Sequence, residues 1–158
     1  MPESGLYVVE HMNLHFMNWK YPLFNMLFLL AQSPAKLSLL PESARISSRV
    51  YKDVVDKGEP HVLVDVRPAH HFKISAIPES INIPLPVLKE KLSTLDLALK
   101  EAGHASNKPA SLYVVCRRGN DSQRAVQLLN DNGFSLAKDI VGGLESWAKD
   151  VDPTFPTY

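Results

Sequence analysis

The sequence predicts an α/β domain over residues 41–158, with a mostly parallel central sheet of about five short strands and helices on both faces. Short apolar runs alternate with helix-like stretches along this part of the chain, a pattern typical of parallel sheets. Residues 61–66 form a near-continuous apolar run rich in valine, as expected for a strand buried on both faces. A second apolar run, residues 111–115, leads through a short turn into a helix-like segment.

Five segments are predicted as strands because they are short and are bounded by turn residues. They are residues 44–47, 61–66, 81–83, 111–115 and 139–141. The first of these is expected at an edge of the sheet. In folds of this class ligands bind at the carboxyl ends of the strands, so the residues that directly follow each strand are candidates for function.

The first helix is predicted over residues 49–57, with Ser48 as its N-cap and Gly58 at its end. Its buried face is expected to consist of three valines: Val50, Val54 and Val55.

The remaining helices are predicted at residues 69–75, 84–101, 121–132 and 143–148. In the longest of them leucines recur at helical spacing, and both prolines fall in the first turn, where proline is tolerated. Residues 103–109 are predicted to be a polar loop that leads into the fourth strand.

Composition narrows the possible functions. The chain has 17 basic and 17 acidic residues, so it has no global basic field and nucleic acid is not an expected partner. Its single cysteine cannot form an internal disulfide, which fits a reducing compartment, and we expect a cytoplasmic protein. No zinc-site spacing and no glycine-rich nucleotide-binding pattern occurs, so we expect no cofactor. The three histidines His61, His70 and His71 are interpreted as solvated or partly buried, not as metal ligands.

Residues 1–40 differ in composition from the rest of the chain. Their charge-free stretch, residues 21–35, is shorter than the roughly 20 residues of a membrane-spanning helix, and a proline interrupts it. A signal peptide is an alternative interpretation, but Glu3 and Glu10 stand where a basic segment would precede the apolar core. We therefore expect a poorly ordered or atypical N-terminal extension and no membrane partner.

Cys116 is the most informative residue of the sequence. It ends the fourth predicted strand and precedes a turn and a helix N-terminus, where unpaired backbone N–H groups and the helix dipole favour negative charge. A buried core cysteine is the alternative, since most free cysteines pack as small apolar residues. The basic pair Arg117 and Arg118 and the mid-turn Gly119 favour a reactive cysteine in an exposed loop.

Three chemistries use a thiolate in such a loop. A phosphatase loop places an arginine six residues after the cysteine, but here that residue is Ser122 and the next arginine is Arg124. Dithiol redox exchange requires a second cysteine nearby, which the chain does not have. Sulfur transfer through a persulfide requires one thiolate and a ring of N–H donors, so the sequence supports this chemistry best.

The ordered motifs of the chain resemble the rhodanese domain over about residues 44–158. The motifs are Leu-Val-Asp-Val-Arg at 63–67, Ile-Pro at 77–78, Ile-Asn-Ile-Pro at 81–84, Val-Cys-Arg-Arg-Gly-Asn-Asp-Ser at 115–122 and Gly-Gly-Leu-Glu-Ser-Trp at 142–147. The cysteine motif and the tail, residues 152–158, are most similar to the C-terminal rhodanese domain of eukaryotic, plant-like molybdopterin synthase sulfurylases, the adenylyltransferases and sulfurtransferases of molybdenum cofactor biosynthesis.

The resemblance implies a specific reaction. Cys116 would accept sulfur from a cysteine desulfurase as a persulfide, and only weakly from thiosulfate. It would pass the sulfur to the adenylated C-terminal glycine of a ubiquitin-like sulfur carrier, for molybdopterin synthesis and thiolation of the tRNA wobble uridine. Such proteins carry an adenylating domain before the rhodanese domain, so we expect activation of the acceptor by an adenylating domain in trans.

A catalytically idle rhodanese-like binding module, which recruits the carrier or the desulfurase, is the alternative function. The intact cysteine and the full six-residue loop favour the enzyme.

The loop residues and one pair of charged residues have expected roles. The loop residues that would bind the outer sulfur or the substrate are Arg117, Arg118, Gly119, Asn120 and Asp121. Asp121 is also expected to repel an anionic donor such as thiosulfate. Asp65 and Arg67, at the end of the second strand, are expected to form an ion pair that shapes the adjacent turn.

Overall fold

The computed structural model describes residues 38–157, which form one five-stranded parallel sheet. The strands are β1 (Arg45–Ile46), β2 (His61–Asp65), β3 (Ile81–Asn82), β4 (Ser111–Val115) and β5 (Lys138–Ile140). Their order across the sheet is β1-β5-β4-β2-β3, and every pairing is parallel. The predicted α/β class and the number of strands are confirmed, and β1 lies at an edge as expected.

Five α-helices lie among the described residues; four connect successive strands and the fifth follows β5. They are α1 (Ser48–Asp56), α2 (Ala69–Phe72), α3 (Leu92–Ser106), α4 (Asp121–Asp131) and α5 (Gly143–Asp150). Two 3-10 helices, Glu42–Ala44 and Leu85–Lys91, precede β1 and α3. Within residues 38–157 no helix has the length and apolar character needed to cross a membrane. The extension predicted for residues 1–40 lies outside the described residues except for its last three.

Helices cover both faces of the sheet. Because successive strand residues point to opposite sides, each strand contributes side chains to both cores. One face packs against the 3-10 helix before α3, against α3 and against α4; its core includes Val62, Val64, Leu112, Val114, Leu95 and Leu129. The other face packs against α1 and α5; its core includes Leu63, Tyr113, Val115, Tyr51 and Trp147. This two-sided burial explains the near-continuous apolar sequence of β2 and β4.

Helix α1 begins one residue earlier than predicted. Its N-cap is Ser47, whose Oγ accepts the N–H of Val50 at 3.2 Å, while Ser48 is buried and its Oγ lies 3.1 Å from Ser146 Oγ. The inner face therefore contains Tyr51 and Val54. The expectation for the other two valines was wrong, since Val50 is 49% and Val55 is 40% exposed.

The long predicted helix is divided in two. Its first part, with both prolines, forms the 3-10 helix Leu85–Lys91, and α3 then continues to Ser106. The loop predicted at residues 103–109 is therefore largely helical. The helix ends at Asn107, which adopts a left-handed conformation with φ of 54° and donates its N–H to the carbonyls of Gly103 and His104. Asparagine is one of the few residues apart from glycine that occupy this conformation readily, so it can end the helix here.

Replacement of Ser47 by alanine tests the revised cap. Ser47→Ala removes the acceptor for the Val50 N–H, so we expect the free energy of unfolding to fall by about 1 kcal/mol. Ser93→Ala is the control, because Ser93 is an exposed residue within α3. Urea denaturation of both variants gives the comparison; a loss of stability no greater in Ser47→Ala than in Ser93→Ala would contradict the cap.

Candidate active site

The candidate site lies at the carboxyl ends of the two central strands. Strands β2 and β4 pair in register, with Asp65 opposite Val115, and the N–H of Val66 donates to the Val115 carbonyl at 3.0 Å. Cys116 and Arg67, which directly follow these pairs, are therefore brought side by side. We call residues 116–121 the cysteine loop.

The cysteine sulfur is held within the loop. Cys116 is only 4% exposed, and its Sγ accepts the backbone N–H of Gly119 at 3.1 Å. The hydroxyl of Ser122, in the first turn of α4, lies 3.2 Å from the same sulfur. Gly119 has φ of +81°, a conformation that a side chain would strain, and this turns its N–H back onto the sulfur. A backbone N–H at the distance of the Gly119 donor stabilises negative charge on sulfur.

The first turn of α5 holds the other side of the cysteine loop. The N–H of Leu144 donates to the Cys116 carbonyl at 2.9 Å, and the N–H of Glu145 donates to the Arg117 carbonyl at 3.0 Å. A trans peptide places its N–H opposite its C=O, and the described residues contain no cis peptide. The N–H groups of Arg117 and Arg118, which belong to these two peptides, therefore point away from α5.

This arrangement requires glycine at position 143. Gly143 has φ of +60°, and a Cβ there would lie 2.2 Å from the Cys116 carbonyl oxygen. Gly119 is packed just as closely, because a Cβ on it would lie 2.8 Å from the Gly142 nitrogen. The cysteine loop and the start of α5 thus lie so close together that a side chain at either Gly119 or Gly143 would clash with the backbone of the other segment.

Asp65 and Arg67 form a buried ion pair. Their exposed fractions are 1% and 3%, and the Arg67 Nη2 lies 2.6 Å from Asp65 Oδ2. The Arg67 N–H also donates to Asp65 Oδ1 at 3.0 Å, and Nη2 donates to the Ser75 carbonyl at 2.6 Å. The side chain of Asn82 donates to the carbonyls of both residues at 2.9 Å. The pair therefore shapes the turn after β2, and it places Arg67 beside the cysteine loop.

The two loop arginines share one carboxylate. Glu145 Oε1 lies 3.2 Å from Arg117 Nε and 2.8 Å from Arg118 Nε. The hydrogen bond from Arg118, reinforced by the positive charges of both arginines, holds the pKa of Glu145 below its ordinary value. An anion that approaches the arginines must therefore compete with Glu145, in a partly exposed setting where each ion pair is weak.

A cleft of about 320 Å³ opens above the cysteine. It is lined by Arg67, Pro68, His71, Cys116, Arg117, Arg118, Asn120 and Asp121. Most of the residues predicted for the site meet here, whereas Gly119 lies beneath the surface of the loop. Asp121 is largely exposed, and its carboxylate is 3.5 Å from Arg124 Nη1.

His71 was not predicted as part of the site. Partial loss of solvent lowers its pKa, and the nearby charges of His70, Arg67 and Arg117 lower it further. The imidazole is therefore neutral near pH 7 at the edge of the cleft. Among residues 38–157 no group of three or more histidine, cysteine or carboxylate side chains is arranged to hold a metal ion.

Residues 47–150 match the family model of the rhodanese-like domain. The chain belongs to this family. The resemblance expected from the ordered motifs is confirmed, and the architecture agrees with a solved rhodanese-related protein from Thermoplasma volcanium. That structure is 28% identical, with a TM-score of 0.52 over 68% of this chain and 92% of its own.

Two plant relatives of the rhodanese-like chain are more similar in sequence. Adenylyltransferase and sulfurtransferase MOCS3-2 of Zea mays is 55% identical over 143 residues, which are 90% of this chain and 29% of the relative. Adenylyltransferase and sulfurtransferase MOCS3 of Arabidopsis thaliana is 57% identical over 127 residues, or 77% of this chain and 27% of the relative. The chain thus spans less than a third of the length of these curated relatives. The maize match extends beyond the residues 44–158 expected from the motifs.

The buried polar residues next to the cysteine loop include Asp139 as well as Ser122. Asp139, on β5, has no exposed surface, and Arg45 Nε lies 3.0 Å from its Oδ2. Burial raises the pKa of Asp139, while the Ser122 hydroxyl and Arg45 partly oppose this effect. No sequence pattern identified Glu145, Asp139 or Ser122 as neighbours of the site; the consecutive glycines at 142 and 143 were the one available signal of a close approach.

Replacement of Gly143 tests the contact between α5 and the cysteine loop. Gly58 is the matched control, because its φ of +61° is nearly the same but a Cβ there would meet nothing within 4 Å. Gly58→Ala should cost only the strain of the left-handed conformation, about 1–2 kcal/mol. Gly143→Ala should cost a further ~1–3 kcal/mol through overpacking.

Gly143→Ala should also slow alkylation of Cys116 by iodoacetamide, because displacement of the loop turns its N–H groups away from the sulfur. Urea denaturation and the alkylation rate measure the two effects. Equal stability losses in the two glycine variants, with unchanged alkylation, would contradict the role assigned to Gly143.

Proposed function

We propose that this chain is a sulfurtransferase of molybdenum cofactor biosynthesis that carries sulfur as a persulfide on Cys116. The observation that carries the proposal is the hydrogen bond from the Gly119 N–H to Cys116 Sγ at 3.1 Å, inside a loop whose first two carbonyls are bound to α5. Such a loop offers its remaining N–H groups to an anionic outer sulfur. The family and the two plant relatives support the same activity.

In the first step the Cys116 thiolate attacks the outer sulfur of a persulfide on a cysteine desulfurase. A new S–S bond forms on Cys116, and the S–S bond of the donor breaks and returns the donor cysteine as a thiolate. The outer sulfur on Cys116 then bears the negative charge, which the N–H groups of Arg117, Arg118 and Asn120 are proposed to stabilise. This exchange uses only thiol chemistry, so the chain needs no metal or nucleotide cofactor for it.

In the second step the outer sulfur attacks the adenylated C-terminal glycine of a ubiquitin-like sulfur carrier. The C–S bond forms and AMP leaves, so carrier and enzyme are joined by an acyl disulfide. A reducing thiol must then attack the Cys116 sulfur of this acyl disulfide, so that the thiocarboxylate leaves and Cys116 is held in a mixed disulfide. A second equivalent of thiol reduces the mixed disulfide and restores the Cys116 thiol. Because Cys116 is the only cysteine of this chain, that thiol comes from another molecule or domain.

The proposed partners follow from these steps. A cysteine desulfurase supplies sulfur, a ubiquitin-like carrier accepts it, and an adenylating domain activates the carrier. The carrier tail is proposed to enter the cleft past Arg117 and Arg118, where the phosphate of its adenylated terminus replaces part of their contact with Glu145. The carrier would then serve molybdopterin synthesis and tRNA wobble-uridine thiolation, in the reducing cytoplasm that thiol chemistry requires.

Intact-protein mass spectrometry after incubation with a cysteine desulfurase and cysteine tests the proposal. We expect the wild type to gain one sulfur atom, about 32 Da, and to lose it on treatment with dithiothreitol. Cys116→Ala should gain nothing, because it has no acceptor thiol. A wild type that stays at its original mass, with an intact circular dichroism spectrum, would exclude the persulfide carrier and favour the binding module.

Charge reversal at Asp121 tests the selection of the donor. Thiosulfate is a dianion, and the Asp121 carboxylate lines the cleft that it must enter. Asp121→Arg should therefore raise the turnover of thiosulfate by roughly three- to tenfold, and less at high salt because the residue is exposed. Asp131→Arg is the control, since it makes the same change at the opposite end of α4. Unchanged turnover in Asp121→Arg, or an equal rise in both variants, would refute this electrostatic effect.

A further inference from the structure

A buried glutamine connects the cysteine loop to the segment that leads into the domain. Gln123, in the first turn of α4, is 7% exposed, and its Nε2 donates to the Gly119 carbonyl. Its Oε1 accepts the N–H of Leu39 at 3.0 Å and the hydroxyl of Ser38 at 3.1 Å. We call residues 38–40 the leading segment. One side chain thus joins two parts of the protein that are far apart in sequence.

The bond to Gly119 bears directly on the sulfur. The Gly119 N–H donates to Cys116 Sγ, while the carbonyl of the same residue is held by Gln123. The next peptide is planar and trans, so a fixed Gly119 carbonyl also fixes the direction of the Asn120 N–H, which points the opposite way. Gly119 has no side chain that could hold this turn, so the contact with Gln123 restrains two donors of the cysteine loop.

The leading segment is itself anchored to the core. Leu40 is 7% exposed and belongs to the core on the α4 side of the sheet. The Ser38 hydroxyl accepts a hydrogen bond from Arg45 Nη1 at 3.0 Å, and the same arginine pairs with the buried Asp139. A polar network therefore runs from the leading segment through Gln123 to the sulfur, and its buried part has a defined geometry.

We propose that Gln123 is a positioning residue that holds the Gly119 N–H on the sulfur of Cys116, fixes the direction of the Asn120 N–H and transmits the placement of the leading segment to the cysteine loop. The role in sulfur transfer rests on the proposed function, but the effect on the thiolate does not. A displacement of the chain at Leu39 would, through Gln123, change how well the loop stabilises negative charge on sulfur.

The pH dependence of Cys116 alkylation by iodoacetamide tests the proposal on the full chain. Gln123→Met keeps the volume and helix propensity of the side chain but removes both hydrogen-bonding groups. We expect the midpoint of the profile to move to higher pH, so that the rate at pH 7 falls roughly three- to tenfold while the plateau at high pH is kept. Gln127→Met, on the exposed face of the same helix, should match the wild type.

Leu39→Pro provides a second variant that leaves Gln123 in place. It removes the Leu39 N–H, and the Leu39 side chain is 56% exposed, so the core is not disturbed. We expect a shift in the same direction as for Gln123→Met but smaller. If Gln123→Met does not fold, Leu39→Pro still tests whether the leading segment influences the cysteine loop. A wild-type alkylation profile in Leu39→Pro would overturn that influence.

A folded Gln123→Met with the wild-type profile would overturn the positioning role. Persulfide formation, measured by mass on the same variants, separates this inference from the proposed function. If the wild type takes up no sulfur but Gln123→Met still shifts the alkylation profile, the function is wrong and the positioning role stands.

Discussion

The site depends on two backbone hydrogen bonds that join the first turn of α5 to the carbonyls of Cys116 and Arg117. A helix N-terminus has N–H groups without intrahelical partners, and here two of them are satisfied by the loop that carries the thiol. The same bonds turn the carbonyls of Cys116 and Arg117 toward α5, and the Gly119 N–H contacts the sulfur from within the loop. Because only glycine at 143 permits this approach, the shape of the loop is determined by a residue far from it in sequence.

The charges around the cysteine are balanced in pairs. Asp65 neutralises Arg67 in the interior, Glu145 is shared by the two loop arginines, and Asp121 lies near Arg124. The partly exposed pairs contribute little to stability, but they reduce the positive field that the sequence of the loop suggests. The Gly119 N–H therefore contacts the sulfur directly, while both loop arginines contact Glu145.

Burial explains how the loop keeps its shape around the thiol. The sheet below it is covered on both faces, and Ser122, Gln123 and Asp139 fill the space behind the cysteine with polar groups. Buried polar groups are stable only where their partners are in place, so each of them restricts the positions of its neighbours. The leading segment contacts the site for the same reason. The Gln123 amide is buried, so its oxygen needs a donor, which is the Leu39 N–H, and its nitrogen needs an acceptor, which is the Gly119 carbonyl.

The amino-acid sequence by itself determined the α/β class, the five strands, the buried character of β2 and β4, and the cysteine loop between a strand and a helix. These features follow from periodicity and turn residues, which act between neighbours along the chain. Tertiary structure alone decided the partners of the loop: Glu145 lies 27 residues from Arg118, and Leu39 lies 84 residues from Gln123. It also decided that Ser47 caps α1 and that Asn107 ends α3. No local pattern encodes such pairs, because they form only when parallel strands and their helices are packed together.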